Sequence, residues 1–84
     1  MPELLHDKEL NKLKQFKKDL DWFQNNYNDL KNDYKNEYVA IKDESLIDHD
    51  VSLNHLLNRL KNKYDDTNSI VVEFINENKE IYIL

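Results

Sequence analysis

The chain has no cysteine, no glycine and a single proline, Pro2, in 84 residues. Without cysteine there is no disulfide framework and no thiolate metal site, and a reducing compartment fits. Without glycine there is no glycine-rich phosphate loop, and tight turns must be built from Asn, Asp and Ser. No run of about 18 apolar residues is present, so no membrane-spanning helix is expected. The opening MPELLHDKEL is charged where a signal peptide would be apolar. The expectation is a soluble, cytoplasmic protein of one domain, residues 1–84, near the lower size limit for independent folding.

Acids outnumber bases 17 to 12, for a formal charge of −5. Residues 1–35 hold seven lysines and seven acids, which cancel, so the whole excess lies in residues 36–84. That half disfavours phosphate backbones, whose binding depends on cationic contacts and counterion release. Nucleic acid is therefore not an expected partner, and neither is a membrane.

What the chain does have is one long apolar seam. In KLKQFKKDLDWFQNNYNDLKNDY, residues 12–34, the apolar positions are Leu13, Phe16, Leu20, Phe23, Tyr27, Leu30 and Tyr34. Steps of three and four predict a helix with one buried stripe, running from about Asp7 or Lys8 to about Tyr34. Asp19 and the neighbouring charges read as its solvated side.

The period then changes. EYVAIK, residues 37–42, alternates, with Val39 and Ile41 on one side and Tyr38, Ala40 and Lys42 on the other. Asp43-Glu44-Ser45 reads as a tight turn and residues 46–49 as the returning strand. Asp50 or Ser52 can cap a second helix carrying Leu53, Leu56, Leu57, Leu60 and Tyr64 on one face. Asp-Asp-Thr-Asn-Ser then marks a loop, and SIVVEFINENKEIYIL reads as a hairpin of residues 70–76 and 79–84 turning at Glu77-Asn78. In that hairpin Phe74 pairs with Ile81 and Val72 with Ile83.

The predicted fold is α+β in the order αββαββ: a long N-terminal helix, a β-hairpin, a helix and a β-hairpin. Its four-stranded, mostly antiparallel sheet carries the helices on one face. Residues 1–21 form a helical extension and residues 22–84 the α+β core.

Length sets the functional expectation. A helix of about 27 residues spans roughly 40 Å, whereas strands of about six residues span roughly 20 Å. The overhanging half carries Leu10, Leu13 and Phe16, preceded by Leu4 and Leu5. Leaving such side chains in water forfeits about 1.5–3 kcal/mol each relative to burial. A second copy of the chain is the nearest cover, so a homodimer through Leu5, Leu10, Leu13, Phe16, Leu20 and Trp22 is expected, with an unidentified protein partner as the other possibility. A kinked N-terminus folded back over the domain is the competing arrangement.

Signals for chemistry are weak. Asp48-His49-Asp50 with His55 is the one cluster resembling metal ligands, but it lacks a third histidine and an evident cleft. The pairs Asp43-Glu44 and Asp65-Asp66 sit in predicted turns, where two carboxylates share one solvated environment and cannot divide acid and base roles. No Ser/His/Asp order or zinc spacing is present. The expectation is no enzyme, no cofactor and no metal.

From Trp22 onward the chain resembles a family of small, mainly archaeal domains of unknown function. The matching residues are Trp22, Tyr27 and Leu30 in WFQNNYNDL, the strand Tyr38-Val39-Ala40-Ile41-Lys42-Asp43, the pair Leu56-Leu57, and the segments IVVEFI and IYIL. Glu44-Ser45 stands where that pattern commonly has a glycine, and Asn76 where it often has a proline. The resemblance implies a small α+β module and carries over no functional residues.

The function expected is a non-enzymatic interaction module that self-associates through its first helix. The alternative is an acidic inhibitor or antitoxin covering a basic site on a nucleic-acid-processing protein, using Asp43, Glu44, Asp48, Asp65 and Asp66.

Overall fold

The computed structural model describes residues 7–76. The elements are α1 (Asp7–Asn25), α2 (Tyr27–Asp33), β1 (Tyr38–Lys42), β2 (Ser45–Asp50), α3 (Leu53–Lys63) and β3 (Val71–Phe74). The protein is α+β, and its described strands form an antiparallel three-stranded sheet in the order β2-β1-β3. The expected fourth strand, with the pairs Phe74–Ile81 and Val72–Ile83, lies outside the described residues.

The long first helix is two helices. At Asn26 the backbone leaves helical geometry, with φ −106° and ψ 8°. The cause is local: Asn26 donates to the Trp22 carbonyl twice, from its backbone N–H at 3.0 Å and its side-chain Nδ2 at 2.8 Å. A short amide side chain that competes for a carbonyl disturbs the turn it sits in. The disturbance stays small, because Leu30 N–H still donates to the Asn26 carbonyl at 2.9 Å. The apolar seam therefore crosses the break, and Phe23, Tyr27 and Leu30 share one buried cluster. The Tyr34 N–H closes α2 on the Leu30 carbonyl, and Asn36, at φ 59°, takes the left-handed conformation that turns the chain into β1.

The helices do not share a face of the sheet. Val39 and Ile41 of β1 pack with Phe23, Tyr27, Leu30, Val71 and Ile75 under α1 and α2. Ala40, between them, packs with Leu56, Leu60 and Ile70 under α3. All three β1 residues are fully buried, so the sheet lies between two helical layers and the one-face arrangement is corrected. A strand apolar on both sides requires cover on both sides.

The β1–β2 turn runs through Asp43 at φ 52° and Glu44 at φ 58°, flanked by the pair Lys42–Ser45. Two successive positive φ values make the tight hairpin turn whose twist suits antiparallel strands, here without glycine. Further along, Ala40 pairs with Asp48 but Ile41 with Leu46, so Ile47 is an extra residue, a β-bulge.

Candidate functional site

The seam of α1 divides along its length. Phe16, Leu20 and Trp22 are partly buried and pack against the chain's own core. Leu10 and Leu13 remain 41% and 55% exposed. Of the expected interface residues, then, Phe16, Leu20 and Trp22 are already engaged within the domain, Leu10 and Leu13 face solvent, and Leu5 lies outside the described residues. The boundary follows from reach. The five residues of β1 span roughly 17 Å, whereas the 19 residues of α1 span roughly 28 Å, so its leading turns pass the end of the sheet.

The polar side of the same leading half is not idle. Lys12 bridges to Asp66, in the loop between α3 and β3, at 2.8 Å. One turn on, Gln15 Nε2 donates to Asp19 Oδ1 at 3.0 Å. Asp19 is only 1% exposed, which corrects its reading as a solvated charge. Its Oδ1 also accepts the backbone N–H of Glu44 at 2.7 Å, tying α1 to the β1–β2 turn, while its Oδ2 is buried with no hydrogen-bond donor among the described residues. The signal for this burial was positional. Asp19 stands three residues after Phe16 and four before Phe23, within the buried arc of a 3.6-residue helix.

Around Asp19 lies an open groove of roughly 620 Å³, lined also by Asn11, Lys12, Gln15, Lys42, Asp43 and Ser69. It opens where β1 meets its turn, and Lys42 on the rim is 3.1 Å from Asp43 and 5.9 Å from the centre of the Tyr64 ring.

The cluster Asp48-His49-Asp50 is a clamp on Arg59. The Ile47 bulge restores phase so that Asp48 and Asp50 both point to the α3 side. Arg59 Nε donates to Asp48 at 3.0 Å and Nη1 to Asp50 at 2.7 Å, while Nη2 also reaches the His49 carbonyl at 2.9 Å. The Arg59 hydrogen bond, first among its causes, holds Asp48 below the usual carboxylate range. Asp50 is lowered chiefly by the backbone N–H of Ser52 and then by Arg59, and the two acids raise Arg59 further. Ser52, not Asp50, caps α3, its hydroxyl accepting from His55 N–H at 3.4 Å. His49 points to the other side, where its Nδ1 lies 2.8 Å from Glu37 Oε1 and its ring lies tilted against that of Tyr34, the centres 4.6 Å apart. Among the described residues no group of three or more His, Asp or Glu side chains could hold a metal ion.

These pairs bear on the acidic surface as well. Asp43, Asp48 and Asp66 each have a cationic partner within the chain, namely Lys42, Arg59 and Lys12. Glu44 and Asp65 are exposed. Among the described residues no helix is long and apolar enough to cross a membrane.

Fold and surface together define a small α+β module whose sheet is enclosed by helices and whose first helix runs beyond it. Residues 29–78 match DUF5678, a family of unknown function, and the chain belongs to that family. The match begins within α2, so α1 with its exposed leucines precedes it. No curated protein and no solved structure matches the chain.

Proposed function

We propose that the protein is a non-enzymatic interaction module that forms a homodimer through the leading half of α1. The observation that carries this reading is the exposure of Leu10 and Leu13 on a helix whose later seam residues are buried in its own domain. Phe16, partly covered, continues the same stripe and forms the inner margin of the contact. Pairing two such stripes removes apolar area from water on both copies at once, worth about 25 cal/mol per Å². A reducing, cytoplasmic setting fits the absence of cysteine, and the acidic second half argues against nucleic acid as a partner.

Sedimentation of the wild type over a range of concentrations and salt tests the proposal. The 10.2 kDa chain should sediment at about twice that mass, with association little changed above about 0.15 M salt. Association that collapses as salt rises would instead favour a contact made by surface charge.

A further inference from the structure

The groove beside Asp19 has a chemical character that the dimer reading does not use. Its lining includes a carboxylate that is 1% exposed, with one oxygen satisfied by Gln15 and Glu44 and the other, Oδ2, without a donor among the described residues. Buried polar atoms in folded proteins are nearly always hydrogen-bonded, so an orphaned carboxylate oxygen in a groove wall marks the place of a missing donor. That donor must supply an N–H or O–H, and a cationic one is favoured over an anion, which would face the buried carboxylate.

The rim asks for the opposite charge. Lys12 and Lys42 both line the groove, one from α1 and one from the end of β1. Each pairs with an acid whose side chain is substantially exposed, Asp66 and Asp43. Exposed pairs of this kind contribute little and exchange readily with a competing carboxylate. Lys12 and Lys42 balance Asp19 and Asp43, so the lining is neutral as a whole while presenting both signs. A simple anion meets Asp19 and a simple cation meets the lysines, whereas a molecule with both charges satisfies each. The volume of roughly 620 Å³ falls within the range of small-molecule sites. Ser69 and the Gln15 amide favour a polar body over a large apolar one.

We propose that this groove binds a small polar zwitterion, its ammonium donating to Asp19 Oδ2 and its carboxylate received by Lys42 and Lys12. Gln15, which spans the floor from the preceding turn of α1, shifts to admit the ammonium group. The competing occupant of Oδ2 is an ordered water alone, and titration decides between the two.

The test is an amide-resolved NMR titration of the full chain with glycine, serine and glutamine as zwitterions, glycinamide as an ammonium without a carboxylate, and acetate as a carboxylate without an ammonium. The expected result is a saturable shift at the Gln15, Glu44 and Ser69 amides with at least one zwitterion. Glycinamide and acetate should bind at least roughly tenfold more weakly. Lys42→Met should weaken the zwitterion by roughly tenfold, as should Asp19→Asn, whose amide oxygen can still accept from Glu44. Should Asp19→Asn fail to fold, Lys42→Met decides alone. The proposal is overturned if no zwitterion gives a saturable shift up to about 20 mM, if acetate or glycinamide does as well as the zwitterions, or if the variants bind like the wild type.

Discussion

Asp19 accepts the backbone N–H of Glu44 at 2.7 Å across 25 positions of chain, joining the middle of α1 to the tip of the β1–β2 hairpin. Asp19→Ala removes that acceptor and the partner of the Gln15 amide together. Stability should fall by about 1–3 kcal/mol, the range for leaving a partly buried donor unmet. Urea unfolding measures the loss, and faster hydrogen exchange at the Glu44 amide would assign it to this contact.

Glu44 itself stands at φ 58°, where a β-carbon is unfavourable by about 1–2 kcal/mol. Glycine relieves that strain but gives back about 0.5–1 kcal/mol in chain entropy. Glu44→Gly should therefore stabilise the fold by about 0.5–1 kcal/mol, read as a higher denaturant midpoint with an unchanged slope.

Leu56 and Leu13 are both helical leucines, and only the first is buried in its own domain. Leu56→Ala should destabilise by about 2–5 kcal/mol. Leu13→Ala, measured where the chain is monomeric, should stay within about 0.5 kcal/mol of the wild type. Equal losses from the two would place the leading half of α1 inside a lone subunit.

The Arg59 clamp makes stability depend on acid. Both Asp48 and Asp50 are held below their ordinary value of 3.8, so near that pH the unfolded chain binds more protons than the folded one. The stabilisation is complete above that pH and lost as pH falls through the lowered folded-state values. Unfolding midpoints compared at pH 6 and pH 3 should show a smaller acid drop for Arg59→Gln than for the wild type. An equal drop in both would detach the acid sensitivity from the clamp.

Much of this fold was legible in the sequence because its periods are clean. Leu56, Leu57 and Leu60 of α3 and the seam through Phe23, Tyr27 and Leu30 fell where spacing put them, whereas Leu53, expected on the same buried face, is exposed. The two-layer cover of the sheet was misread as one-faced, although one feature of β1 signals it. Tyr38-Val39-Ala40-Ile41 has no polar residue on either side, which is the mark of a strand buried on both faces. Asn26 broke the helix through a side-chain bond that periodicity does not register. The Arg59 clamp depended on the Ile47 bulge, since without the extra residue the alternation of β2 would turn Asp48 and Asp50 away from α3. Bulges leave little trace in a short strand. Asp19 was missed because its charge outweighed its position, a bias that helical geometry could have corrected.

The central claim is that the exposed leucines at the leading end of α1 meet the same residues on a second copy. The most direct test is the solution mass of Leu10→Asp/Leu13→Asp beside the wild type, with circular dichroism to show that both are folded. The account predicts a wild-type dimer and a folded variant at the 10.2 kDa mass of one chain. A wild type that stays monomeric at every concentration, or a variant that dimerises as well as its parent, would contradict it.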